Sequence, residues 1–258
     1  MHRLFNFLRK PKFLVGFVVV FISLGIVSYR YLWIFDPIIA PIYDLYTGQQ
    51  PVDHAKDAKK ALANFPSLSF DEIATLPYGK TYGVIEPGHA PRYKTQRFIQ
   101  INWFQRYRYV AGKVRIKDFL LKDRLIRNRI PIPDQAKVQY LLISPAIVEK
   151  IILLQKEMDK AGLDSDAFKV TSGFRPPVYN KQVKGKPKSR HLHGDAVDII
   201  VFDVNRDGKI NQEDENAVFQ ILENKIIRGG GGLGTYKSTQ NLIHFDTRGY
   251  RGGGIKRY

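Results

Sequence analysis

The 258-residue chain carries 41 Lys and Arg against 24 Asp and Glu, a formal net charge of +17, and no cysteine. That length suits one substantial core with appendages, since single domains usually run about 100 to 200 residues. Without cysteine there is no disulfide framework and no thiolate metal site, so any metal must be held by His, Asp, Glu or backbone oxygen, and the charge calls for an anionic partner: nucleic acid, anionic lipid or an acidic wall polymer.

The first twelve residues, MHRLFNFLRKPK, hold Arg3, Arg9, Lys10 and Lys12 and no acid. A charge-free run follows from Phe13 to Tyr29, and Leu32, Trp33, Ile34 and Phe35 extend it if Arg30 snorkels. A cleaved signal peptide shares this pattern. The length of the run, the lack of a small-x-small site after it, and the interfacial character of Tyr31 and Trp33 favour an uncleaved transmembrane signal anchor over 13–35. The positive-inside rule leaves 1–12 in the cytoplasm and sends the rest across a cytoplasmic (inner) membrane, so the C-terminal domain is expected to be periplasmic or extracellular. That placement argues against nucleic acid as the partner.

Residues 36–66 begin with prolines, end in a short helical pattern, and read as a stalk; a globular domain is expected over 67–258. Between Arg92 and Arg129 twelve basic residues face only Asp118 and Asp123. The alternation there puts Phe104, Arg106 and Arg108 on one strand face and Trp103, Tyr107 and Tyr109 on the other. Two readings stay open: a solvated basic face, or a patch for an anionic wall polymer or lipid headgroups. From Ser144, apolar residues at Ile147, Ile151, Leu154 and Met158 mark a core helix, with Ser144-Pro145 as its start and Gly162 as its cap. FKVT (168–171) and AVDIIVF (196–202) read as strands, and the order of elements suits an α+β domain.

His191 and Asp198 lie seven apart, on a loop and the strand it enters, and His244 sits in a later apolar strand. Together they make a three-ligand zinc site with a fourth position open, the arrangement of catalytic zinc. Spacing alone leaves open a buried structural histidine and a chance cluster. SGFR (172–175), Asn180, Ser189-x-His191-x-x-Gly194-x-Ala196-x-Asp198 and His244-x-Asp246 resemble the signature of the zinc D-Ala-D-Ala carboxypeptidases and murein endopeptidases, the LAS metallopeptidases of the Hedgehog/DD-peptidase fold. The resemblance covers roughly Ser144 to Gly249. It implies an antiparallel sheet with flanking helices, Zn2+ held by His191, Asp198 and His244, and peptidoglycan as substrate. It also implies that Arg175 binds the substrate carbonyl or carboxylate and steadies the oxyanion. Ser189 is then a polar neighbour of the site, Gly194 allows a tight turn, Ala196 leaves room, and His193 belongs to the rim or touches substrate. Many members carry Glu or Asp three residues before the last histidine as general base, where this chain has Asn241. Asp246, and less directly Asp195, are the carboxylates left to orient a ligand or move a proton.

DVNRDGKINQED (203–214) supplies Asp203, Asn205, Asp207, the Lys209 carbonyl and Asp214 at positions 1, 3, 5, 7 and 12, with Gly208 at 6. This resembles an EF-hand or dockerin-type calcium loop, expected to hold a structural Ca2+; a turn that binds nothing is the alternative. RGGGGLG (228–234) lacks the Gly-Lys-Ser/Thr of a phosphate loop and is expected to border the zinc cleft. The expected function is a membrane-anchored zinc metallopeptidase cleaving D-amino-acid-containing bonds in stem peptides or cross-links, as carboxypeptidase or endopeptidase. The competing expectation is a zinc- and calcium-binding wall-binding or scaffold domain without activity.

Overall fold

The computed structural model describes residues 36–102, 104–121, 138–236, 239–250 and 256–257. The expected cytoplasmic segment and membrane span, 1–35, lie outside them; among the described residues no helix is long and apolar enough to cross a membrane. The chain divides into two units, Met1–Gly48 and Gln49–Tyr258. In the first, helix α1 is described over Asp36–Thr47 and contains Pro41. That proline removes only the N–H that would reach back to residue 37. The start of the expected stalk is therefore helical.

In the second unit, helix α2 (Ala55–Ala63) buries Ala58 and Leu62, and Phe65 follows them into the core. Its short helical pattern thus belongs to the globular unit, which begins at Gln49 rather than at residue 67. Strand β1 (Ser67–Leu68) leads into helix α3 (Phe70–Thr75), whose start is a capping box: the Ser69 N–H donates to Glu72 Oε2 at 2.7 Å and the Glu72 N–H to Ser69 Oγ at 3.3 Å. Helix α4 (Pro77–Thr81) opens on proline at its first turn, where no donor is needed.

Strand β2 (Phe98–Asn102) does not continue through the aromatic and basic alternation after it. The Asn102 N–H donates to Gln105 Oε1 at 3.0 Å, and the Gln105 N–H to Asn102 Oδ1 at 2.8 Å. This reciprocal clamp turns the chain into a 3-10 helix at Gln105–Tyr107 before strand β3 (Tyr109–Ala111) begins. The expected two-faced strand is therefore corrected to a bend, with Tyr107 fully buried and Phe104 70% exposed. Strand β4 (Val114–Arg115) pairs with β3 across Gly112, and helix α5 (Ile116–Phe119) follows. The basic segment is also not uniformly solvated. Arg115 is buried, its guanidinium 4.0 Å from the Tyr109 ring centre; Arg108 lies over Phe65, and Arg97 donates to Ser67 O at 2.8 Å. Trp103 and residues 122–137, which include Lys122, Arg124, Arg127 and Arg129, lie outside the described residues.

Strand β5 (Val138–Leu141) completes an antiparallel sheet of order β1-β2-β5. Helix α6 (Pro145–Lys160) matches expectation: Ser144 Oγ accepts from the Ala146 N–H at 3.2 Å, and Ile147, Ile151, Leu154 and Met158 are buried. Then come strand β6 (Phe168–Ser172), helix α7 (Pro177–Gln182), strand β7 (Ala196–Val201) and helix α8 (Gln212–Ile221), continued by a π-helical stretch, Leu222–Ile227. Strands β8 (Leu233–Tyr236), β9 (Thr239–Asp246) and β10 (Lys256–Arg257) finish a second sheet of order β10-β8-β9-β7-β6, antiparallel except at β10–β8. Val170, Val197, Ile199, Ile243 and Phe245 share one apolar cluster with α6. The α+β class with antiparallel sheets and flanking helices is as the sequence led us to expect.

Candidate metal centre

Two ligand-type residues meet because of strand register. Ser172 pairs with Asp198 across β6–β7, and Asp198 pairs with His244 across β7–β9. Directly paired residues point to the same face with Cβ atoms about 5 Å apart, so these three side chains form one row. The third ligand-type residue comes from the 3-10 turn Arg190–His193. That turn is pinned by backbone bonds, Arg175 N–H to His191 O at 3.0 Å and Ser144 N–H to Gly194 O at 2.8 Å. Gly194 closes it at φ +71°, where a Cβ would lie 2.5 Å from Leu142 O, so only glycine brings the turn this close.

His191, Asp198 and His244 place one potential ligand atom each within 4.8 Å of the others. His191 Nδ1 lies 2.7 Å from Gly173 O, which can only accept, so Nδ1 carries the proton and Nε2 is bare. His244 Nε2 faces Asp246 Oδ2 at 3.4 Å, so in the neutral ring, the form that binds a metal, Nε2 carries the proton and Nδ1 is bare. The two bare nitrogens stand 3.1 Å apart, and Asp198 Oδ1 is 3.2 Å from one and 2.9 Å from the other. Three lone pairs aimed at one point repel unless a proton or a cation sits among them. The donor set, two imidazoles and a carboxylate with no sulfur, fits Zn2+, and each imidazole has the second hydrogen bond that fixes a metal-ligating tautomer.

Electrostatics follow from burial. His191 is pulled below its ordinary pKa by desolvation, and the Arg175 charge adds to this. Burial also opposes charge on His244 and on Asp198. Hydrogen bonds to Asp198 and Asp246 nevertheless raise His244, and the two imidazoles and Arg175 hold Asp198 well below the carboxylate range. Arg175 forms an ion pair with Asp198 Oδ2 and donates from Nε to Ser172 Oγ at 2.7 Å, so its guanidinium is fixed at the edge of the site. Tyr236 donates to Asp198 Oδ1 at 3.1 Å, and burial followed by the Asp198 charge raises its pKa. Nothing in the sequence pattern singles out Tyr236, because β8 reaches the site only through its pairing with β9.

Asp246 is fully buried. Oδ1 accepts from the N–H of Gly232 at 2.8 Å and the N–H of Arg248 at 3.1 Å, and Arg248 pairs with Oδ2. Burial works against its charge, but these donors and His244 push its pKa far below the ordinary value. The glycine run borders the centre as expected, for a physical reason: a Cβ on Gly232 would lie 2.3 Å from Asp246 Oδ2, and one on Gly231 2.2 Å from Asp246 O. Asn241 is buried at φ +60°, its N–H donating to Glu215 Oε2 at 2.7 Å. Asp195 is paired with Arg190 through both carboxylate oxygens, which removes it from the metal group. His193 is half-buried outside that group, its pKa lowered by burial and by Arg190 and Arg92. Ser189 precedes the 3-10 turn without a side-chain cap bond.

In the 203–214 loop, Asp203 accepts from the N–H groups of Asp207 and Gly208 at 3.0 and 2.9 Å, and Asp207 from that of Lys209 at 2.8 Å. Asn205 Oδ1 accepts from Asp207 N–H at 3.0 Å. Asp214 is fully buried and serves α8 as half of a capping box with Asn211, while also accepting from Val204 N–H at 2.8 Å. Its carboxylate does not converge with those of Asp203 and Asp207; among the described residues only His191, Asp198 and His244 gather in that way.

Residues 133–246 match a family model described as Peptidase M15. The matched segment is less than half of the chain and contains Arg175, His191, Asp198, His244 and Asp246. That segment is thus similar to Peptidase M15. No curated protein and no solved structure matches the chain.

Proposed function

We propose that this protein is a membrane-anchored zinc metallopeptidase that hydrolyses D-amino-acid-containing peptide bonds in the stem peptides or cross-links of peptidoglycan. The observation that carries the reading is the convergence of His191 Nε2, His244 Nδ1 and Asp198 Oδ1, with Arg175 held beside them, inside the segment that matches Peptidase M15. Zinc, when bound, supplies a Lewis acid for the scissile carbonyl and a water made nucleophilic near neutral pH. Arg175 receives the substrate carbonyl or carboxylate oxygen and offsets the charge that grows on it. Asp246 is assigned to orienting His244 rather than to accepting a proton, because Gly232, Arg248 and His244 already surround its oxygens. Tyr236 stays neutral and fixes the rotation of the Asp198 carboxylate. Asn241 has no proton-accepting role, and this favours a second reading, a zinc-holding wall-binding domain that does not cut.

The 13–35 segment would anchor the chain in the cytoplasmic membrane and leave Gln49–Tyr258 outside the cytoplasm, where the net charge of +17 suits anionic wall polymer or lipid headgroups. For the 203–214 loop a structural Ca2+ is proposed on its spacing and on Gly208 at φ +83° in position 6. Millimolar calcium should then raise the melting temperature of the wild type and not of Asp203→Ala; equal melting with and without calcium removes the ion from the account.

The function is tested with dye-labelled sacculi and zinc-loaded full-length protein in detergent micelles. Wild type should release label in a chelator-sensitive way, and His191→Ala on the order of a hundredfold less. Equal release by both, or release indifferent to chelator, contradicts the hydrolase. Binding to sacculi with an unchanged muropeptide profile, under confirmed zinc occupancy, selects the scaffold instead.

A further inference from the structure

Residues 176–190 leave the metal centre and return to it. The excursion begins after Arg175 and ends before His191, and its base is closed by the Arg175 N–H, which donates to His191 O at 3.0 Å. Helix α7 forms the outgoing limb. The return is held by backbone bonds, Gly185 N–H to Asn180 O at 2.8 Å and Ser189 N–H to Lys186 O at 3.0 Å. The buried Asn180 side chain also donates to Lys186 O at 3.0 Å, and a Cβ on Gly185 would lie 2.1 Å from Asn180 Oδ1. Lys184 sits at φ +56°, in the left-handed region that lysine seldom adopts. The loop is thus built against Asn180, and it presents its side chains from a fixed backbone.

Its charge is of one sign. Lys181, Lys184, Lys186, Lys188 and Arg190 occur with no acid anywhere in 176–190. Arg190 is taken by Asp195. Lys181, Lys184 and Lys188 are exposed, and among the described residues no carboxylate pairs with them. The basic stretch around residue 100 differs, because Arg97, Arg108 and Arg115 are engaged with Ser67, Phe65 and Tyr109. Like charges on one short, fixed loop repel each other, and a polyanion laid along them relieves that repulsion.

We propose that Lys181, Lys184 and Lys188 form a docking strip for the carboxylates of the peptidoglycan strand, gripping the polymer beside the candidate metal centre. The proposal rests on the peptidase reading for the identity of the polymer. A strand of repeated stem peptides presents carboxylates at every repeat, and ammonium groups on flexible stems meet such spaced charges without demanding one geometry. The place of the loop favours polymer over lipid. It is rooted at Arg175 and His191, so a bilayer seated on it would stand against the centre that a polymeric substrate must reach.

The test is pelleting on ice of zinc-loaded full-length protein in detergent micelles with purified sacculi stripped of phosphate polymers, and with the same sacculi after amidation of their carboxylates. Wild type should bind the unmodified sacculi about tenfold tighter than the triple variant Lys181→Gln, Lys184→Gln, Lys188→Gln, since each exposed charge pair contributes modestly. That advantage should shrink as salt rises and vanish on amidated sacculi. The triple variant Lys181→Arg, Lys184→Arg, Lys188→Arg keeps the charges and should bind as wild type does. Equal binding by wild type and the Gln variant overturns the strip, as does an advantage that survives amidation or one that appears only on phosphatidylglycerol vesicles. If the triple Gln variant does not fold, the three single Gln variants decide: a loss of about twofold in each supports the strip, and wild-type binding by all three overturns it. Pelleting reads binding and muropeptide release reads cleavage, so an absence of release contradicts the hydrolase while the binding result still decides the strip.

Discussion

At the scale of the residue, the centre depends on which nitrogen of each histidine carries a proton, and two acceptors decide that. Gly173 O fixes His191 and Asp246 fixes His244. Asp246→Asn keeps the shape but removes the charge that faces the His244 Nε2–H. Zinc affinity, read by competition with a chromophoric chelator, should fall about ten- to a hundredfold, and an unchanged affinity would remove Asp246 from the site. His191, Asp198 and His244 were singled out in the sequence by the resemblance of the 189–198 block and of His244-x-Asp246 to a known signature, since spacing alone left a structural histidine and a chance cluster open; the structure brings the three together. Tyr236 was not legible there, since only the β8–β9 pairing places it, and neither was the commitment of Asp195 to Arg190, which depends on the path of the turn between them.

At the scale of the element, the strongly periodic segments behaved as their periodicity indicated. Helix α6 and strands β6 and β7 bury the residues that spacing marks as apolar faces. The segment after Asn102 did not, because two side-chain amides exchanging hydrogen bonds with each other's backbone outweigh alternation in sequence. Helix α2 looked like stalk because it is short and lysine-rich, yet one buried stripe, Ala58 and Leu62, is enough to dock it. The turn carrying His191 makes the sharpest demand on its sequence. Gly194→Ala meets both a left-handed φ and the Leu142 carbonyl, so it should cost on the order of 2 kcal/mol or more in urea unfolding and loosen zinc as well. A variant with wild-type stability and zinc affinity would show that the turn is free to move.

At the scale of the whole molecule, metal, proton and fold are linked. The carboxylates of Asp198 and Asp246 outweigh burial and raise the pKa of His244. In the metal-free protein a protonated His244 therefore contributes stability that is fully present below the ordinary histidine pKa of about 6.5 and is lost as pH rises through the folded value. Zinc must displace that proton, so its affinity falls as pH falls. The rise in melting temperature caused by zinc should thus widen between about pH 6 and pH 8, and a shift that narrows over this range would contradict the linkage. The charge and the apolar N-terminal run, read from sequence, suggest where the molecule works; the register of β6, β7 and β9 gives it a site to work with. Zinc K-edge absorption of the purified full-length protein tests the centre most directly. One zinc per chain, with two imidazole nitrogens and carboxylate oxygen at about 2.0 to 2.2 Å and the imidazole signal lost in His191→Ala and His244→Ala, is the predicted result. A protein that retains no zinc, or whose zinc keeps the same shell in both variants, would contradict it.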